Sequence, residues 1–295
     1  MSMYAEKSKP LLSAGVIAAL LVFATSAAAA SELRVCADPD NLPFSNDKQE
    51  GFENKIAELL AKDMHAKLSY TWQRQRQGFI RHTLRAQRCD VVMGVPFGYE
   101  RVLSTQPYYR SGYVFVTVKR RHITIKSFDD PLLRELKIGL HSIGNDGANS
   151  PPAHALARRG MVKNVVGYSM WGEASVENPQ GQVVDAVANG DIDVAIVWGP
   201  IGGYFAKKYG KALRVTPAPV DADMPEQPMA FDMALGVRKD DKAFAAQLEK
   251  SLKRKQRAIT KILTAYNVPI IKSIKGATVS PSDKDRPAPH HHNKR

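Results

Sequence analysis

The feature that most constrains this chain is the alternation between residues 33 and 94. Residues 33–37 (LRVCA) read as the first strand, and a polar turn follows at 46–51. Ile56, Leu59, Leu60 and Met64 then fall at helical spacing, which predicts an amphipathic helix over 52–64. Residues 67–72 alternate and read as a strand. A second helix is expected over 79–86, with Phe79, Ile80 and Leu84 inward. Residues 89–94 are apolar but for Asp90 and follow a helix, which suits a strand covered on both faces. The order β-α-β-α-β specifies a parallel sheet.

The rest of the chain repeats this logic. Residues 113–119 alternate and read as a strand crossing to a second lobe. Residues 137–140 and 164–168 read as strands, and Ser150-Pro151-Pro152 opens a helix with early proline. Val183, Val184 and Val187 mark a helix ending near Gly190. DVAIVW at 193–198 is a buried strand, and Pro200 begins the next helix. Residues 212–216 return the chain, 233–237 add a strand, and the apolar positions from Phe244 to Tyr266 give one or two closing helices. The expected organisation is a first lobe in two pieces, 31–117 and 218–274, with a second lobe, 118–217, inserted. Residues 275–295, polar and rich in proline and basic groups, are expected to be a disordered tail.

Lys7 and Lys9 precede an apolar run at 11–23, and Ala28-Ala29-Ala30 stand before Ser31, the pattern of a cleaved secretory signal over residues 1–30. The run is shorter than the ~20 residues needed to span a bilayer, so no membrane anchor is expected. The chain carries 42 Lys+Arg against 29 Asp+Glu, a net charge of +13. That balance favours acidic partners, and export argues against nucleic acid. The basic residues are spread widely, so a solvated surface and a docking surface for an acidic periplasmic protein are the two readings. Cys36 and Cys89 are the only cysteines, in an oxidising compartment. Both fall in neighbouring predicted strands, so a disulfide is expected in preference to two free thiols.

In parallel α/β sheets, ligands sit beyond the carboxyl ends of the strands. The cleft or partner-binding candidates selected this way are Asp38, Phe44, Tyr99, Arg101, His141, Asn145, Trp198 and Tyr204. A guanidinium such as that of Arg101, in GVPFGYER, grips a carboxylate through two parallel bonds; a salt bridge with Glu100 is the alternative. Phe44, Tyr99, Trp198 and Tyr204 offer flat apolar surfaces to a ligand or to the core. His141 reads as a ligand contact or a strand-end group. In the loop 139–148, Ser142, Gly144, Asn145 and Gly147 give flexible backbone, whereas Asp146 would repel an anion. Asp38, Asp40 and Asn41 read as a turn rather than a cation site. His290, His291 and His292 lie in the tail as an adaptable group of low specificity. Glu173 and Glu177 read as surface charge. No GxSxG, HExxH or P-loop occurs, so neither a catalytic constellation, a resident metal nor a cofactor is expected.

Four segments carry a resemblance: CADPDNLPFSN, GFENKIAELLAKDM, RCDVVMGVPFGYERVLSTQPYYRSGYVFV and GDIDVAIVWGPIGGYFAKK. Together they resemble periplasmic solute receptors, and most nearly the receptor-like J proteins of methanol oxidation, the MxaJ/XoxJ type. The resemblance implies an α/β, two-lobed periplasmic binding protein fold of type II. Each lobe is then a mainly parallel sheet flanked by helices, and two crossing hinge strands join the lobes. It also implies a non-enzymatic periplasmic accessory protein. The implied partners are a PQQ-dependent methanol dehydrogenase, of the lanthanide type by preference, and its cytochrome c, with a small molecule or peptide in the cleft. Amino-acid receptors of this kind place an aspartate after the strand that here ends Trp198-Gly199-Pro200, so that anchor is missing. The alternative is the substrate-binding protein of an ABC importer for a small organic solute. A lyase on the same fold, using His141 or Glu173 for proton transfer, ranks behind both.

Overall fold

The computed structural model describes residues 31–142, 149–170 and 177–272. The expected signal segment, the candidate Asn145 with its neighbours Gly144, Asp146 and Gly147, Glu173 and the tail with its histidines lie outside the described residues.

The chain opens with β1 (Glu32–Ala37), a small hairpin of β2 (Asp40–Asn41) and β3 (Ser45–Asn46), then α1 (Phe52–Asp63) and β4 (Lys67–Trp72). A short α2 (Phe79–His82) leads to β5 (Val91–Pro96), β6 (Leu103–Ser104) and the long β7 (Tyr109–Val118). β8 (Ile138–Ser142), α3 (Pro151–Arg158), β9 (Val165–Ser169), α4 (Gln182–Asn189), β10 (Val194–Trp198) and α5 (Gly199–Ala206) follow. β11 (Leu213–Pro217), β12 (Ala230–Val237) and α6 (Lys242–Ala265) complete the fold.

The strands join along the path β4-β1-β5-β12-β7-β10-β8-β9. β4, β1 and β5 run parallel, with Leu33 opposite Leu68 and Val35 opposite Val91. β10, β8 and β9 do the same in the second lobe. The antiparallel β7 couples the two. Its first residues face β12, Tyr109 opposite Met233, and its later ones face β10 and β11, Val116 opposite Ala195 and Val215. Helices cover both faces of each half. Phe52, Ile56 and Leu60 of α1 and Leu248, Leu252, Ile259 and Leu263 of α6 pack on Leu33, Val35, Val91 and Leu235. In the second half, Val183, Val187 and Ile201 cover one face, while Phe128, Leu133 and Leu156 cover the other. Each fully buried side chain of this size contributes about 1.5–3 kcal/mol.

The two cysteines pair as expected, with Cα atoms 5.4 Å apart, because β1 and β5 are neighbours in the sheet. The second helix is shorter than its apolar spacing suggests. Thr83 turns its hydroxyl back onto the Phe79 carbonyl at 2.7 Å, and Arg85 N–H reaches Ile80 rather than Arg81. That local hydroxyl bond competes with helix continuation, and Leu84 is buried from a turn instead. At the other end of the chain a single helix of 24 residues, α6, closes the first lobe. Ser251, Arg254 and Lys255 of that helix converge on Asp63 at the end of α1.

Candidate functional site

Two loops build the first wall of the cleft. After β1, Asp38 is buried and accepts from the N–H of Asp40 at 2.9 Å and of Gln75 at 2.6 Å. Burial raises its carboxyl, opposed by those two bonds. The β2–β3 hairpin carries Phe44 at its tip, and Glu53 N–H donates to the Phe44 carbonyl, tying α1 to that tip. Phe44 also packs on Phe52 at 5.3 Å between ring centres.

The second lobe supplies the opposite wall. His141 sits on β8 and its Nε2 lies 3.0 Å from the Gln180 carbonyl. A carbonyl only accepts, so Nε2 carries the hydrogen and Nδ1 keeps a lone pair. Burial, against the pull of that bond, lowers the imidazole to about 4, so it is neutral at ordinary pH. Trp198 ends β10 and lies edge-on to Tyr113 at 5.4 Å and to Phe231 at 5.9 Å.

The lobes meet. Gln180 Nε2 donates across the cleft to the Asp40 carbonyl at 3.0 Å and to Asn41 Oδ1 at 3.3 Å. Leu42 and Phe44 pack against the apolar cluster of the second lobe. Behind, Tyr204 of α5 stacks on Tyr266 at 5.8 Å, and Asn267 Nδ2 donates to the Gly203 carbonyl at 2.8 Å.

These contacts leave a cavity of about 280 Å³ between the lobes. Phe44, Tyr113, Trp198 and the methionines Met93, Met170 and Met233 give it apolar walls, and Asn41, Gln75, His141, Ser150 and Glu53 are its polar lining. Among the described residues, Glu53 is its one acidic residue, and no lysine or arginine lines it. Glu53 is 9% exposed, and burial alone pushes its carboxyl up to about 8.

Of the sequence-selected residues, the structure brings Phe44, His141 and Trp198 into the cavity. Asp38 stands behind it and fixes Gln75. Tyr204 is half-buried in the stack with Tyr266, outside the cavity. Tyr99 packs on the cluster around the disulfide. Arg101 is exposed and absent from the cavity lining. Its neighbour Val102 is 6% exposed and packs into the disulfide cluster, which turns the arginine the other way. Asn145 lies outside the described residues. Glu53, Tyr113 and Gln75 were not singled out in the sequence. For Glu53 a signal exists: it falls three residues before Ile56 and seven before Leu60, on the inward stripe of α1. Among the described residues, no group of three or more His, Cys, Asp or Glu could hold a metal ion.

Two lobes around a cavity fed by the carboxyl ends of parallel strands define a solute-binding-protein architecture. The chain belongs to the bacterial extracellular solute-binding proteins, family 3, matched over residues 33–267. It is similar to Protein MoxJ of Methylorubrum extorquens, 34% identical over 254 residues, which are 82% of each chain. Among solved structures it is similar to the periplasmic binding protein XoxJ from Methylobacterium extorquens AM1. That pair shares 33% identity with a TM-score of 0.67, covering 82% of this chain and 100% of the other. It is also similar to MxaJ from Methlophaga aminisulfidivorans MPT, with 27% identity and a TM-score of 0.72 over 81% of this chain and 100% of that one.

Proposed function

We propose that this chain is a non-enzymatic periplasmic accessory protein that binds a PQQ-dependent methanol dehydrogenase, of the lanthanide type, and helps it mature or become active. The observation that carries this reading is the similarity to MoxJ, XoxJ and MxaJ over about four-fifths of the chain. The cleft limits how a partner can engage. With Gln180 bonded to Asp40 and Asn41, the cavity of about 280 Å³ is at or below the low end for small-molecule pockets and far too small for a polypeptide segment. A partner segment therefore enters only when the lobes part, or the dehydrogenase docks on the outer surface near Tyr99 and Arg101. A net charge of +13 suits an acidic partner.

The test is co-purification from periplasmic extract, with dehydrogenase activity and thermal stability measured with and without this protein. Enrichment of the dehydrogenase together with a gain in either property is the expected result. Absence of both enrichment and gain overturns the reading. The cavity itself favours a second reading, an importer's receptor for a small organic solute. An adjacent permease and ATPase, with uptake lost on deletion, would identify that role.

A further inference from the structure

The described lining of the cavity holds one carboxyl, that of Glu53, and no lysine or arginine. We propose that the cavity binds a small organic ammonium ion, with the charged head beside the Glu53 carboxylate and the alkyl part against Phe44, Tyr113 and Trp198.

Four observations carry this. First, among the described residues Glu53 is the one acidic residue in the lining, no lysine or arginine joins it there, and His141 is neutral. Its carboxyl has no hydrogen-bond or ion-pair partner among the described residues. Second, the fold makes room for that carboxyl. Gly94 has φ +60°, and a Cβ at that position would overlap Glu53 Oε1. Third, several helix-head amides that could receive an anion are missing or already used. The first two residues of α3 are Pro151 and Pro152, which have no N–H, and the second residue of α5 is Pro200. At the head of α1, Gly51, Phe52 and Glu53 N–H groups donate to Asn54, Pro43 and Phe44. Fourth, Phe44, Tyr113 and Trp198 give aromatic walls, and the faces of such rings attract organic cations.

The proton on Glu53 links this binding to pH. Burial holds the carboxyl up to about 8, so the free protein is mostly protonated there at pH 6. A bound cation favours the carboxylate, so binding releases a proton below pH 8 and tightens as pH rises towards that value. The described titratable groups around Glu53 do not share this window. Tyr70 on β4, Tyr108 before β7, Tyr109 on β7 and Tyr113 are all raised by burial, and His141 across the cavity is lowered to about 4.

The inference does not depend on the dehydrogenase reading, because it is tested on the isolated protein. Titration calorimetry with choline, tetramethylammonium and the uncharged choline isostere 3,3-dimethylbutan-1-ol, from pH 6 to pH 9, decides it. At pH 8.5 at least one of the two ions should bind tenfold or more tighter than the isostere, and this preference should shrink severalfold at pH 6. Glu53→Gln, checked for folding by circular dichroism, should abolish the preference. Binding of neither ion, equal affinity for ion and isostere in the parent protein, or an unchanged preference in E53Q overturns the proposal. The parent protein's pH series decides the matter even if E53Q does not fold.

Discussion

Gln180 Nε2 reaches from the second lobe to Asn41 Oδ1 of the first at 3.3 Å, and to the neighbouring Asp40 carbonyl at 3.0 Å. This side chain is 2% exposed and spans the cleft at the edge of the cavity. Gln180→Ala removes both bonds while leaving the Gln180 carbonyl that receives His141. Each such bond contributes about 1 kcal/mol, so the variant should populate parted lobes. Small-angle scattering should show a larger radius of gyration, and the thermal midpoint should fall by about 2–4 °C for each kcal/mol lost. An unchanged radius would mean that Leu42 and Phe44 hold the lobes together unaided.

Glu53 sets a stability profile of known sign. Its folded carboxyl is raised to about 8, whereas an unfolded glutamate titrates near ~4.3. Between those values the folded chain holds a proton that the unfolded chain has lost. Stability therefore falls as pH rises through this window and levels off above it. Glu53→Gln should flatten the fall and stabilise the protein at pH 8 by at least about 1 kcal/mol. Urea denaturation at pH 5, 6.5 and 8 measures it, and parallel profiles for the two proteins would contradict the assignment.

Arg159 carries an opposite case. It donates from Nη1 and Nη2 to Asp221 at 2.9 Å, and it also pairs with Asp129 and Asp223. The Asp221 side chain is wholly buried, and Arg159 beside it holds its carboxyl below the usual range. Arg159→Ala leaves that charge unpaired, at an expected cost of about 3–5 kcal/mol. The pair's contribution is present above the unfolded carboxylate range and is lost as pH falls through the depressed folded value. Denaturation at pH 7 checks the loss, and a change under 1 kcal/mol would refute it.

The Cys36–Cys89 bond closes a loop with a sequence separation of 53. Loop-closure entropy for that length gives about 4 kcal/mol. Both residues are 2% exposed or less, so reduction should need unfolding. Replacing both by serine should lower the denaturation midpoint strongly, and dithiothreitol alone should leave the folded protein unchanged.

Arg101 tests the proposed partner surface. It is exposed, so Arg101→Glu should change stability by less than about 0.5 kcal/mol. If the dehydrogenase docks there, its retention on the immobilised protein should fall severalfold, and added salt should weaken the parent complex in the same direction. Retention identical to the parent's would place the contact elsewhere.

Local pattern and tertiary closure divide the information here. The sequence alone determined the order of the main strands and helices, the inward faces of α1 and α6, the partnership of Cys36 with Cys89, and the loop of Phe44 and the strand ends of His141 and Trp198 that reach the cleft. All of these follow from periodicity along one element or from the rule that parallel strands point their loops to one side. Only the tertiary structure decided that Glu53 lines the cavity and Arg101 does not. Glu53 lies on an inward stripe, but whether that stripe's first turn meets core or cavity depends on the hairpin tip folded over it and on the space left by Gly94. Arg101 follows a turn, where no period fixes direction, and the burial of Val102 beside it sent the guanidinium to solvent. Charge at a cleft is set by which neighbours the chain brings from far away, and spacing along the chain does not record that.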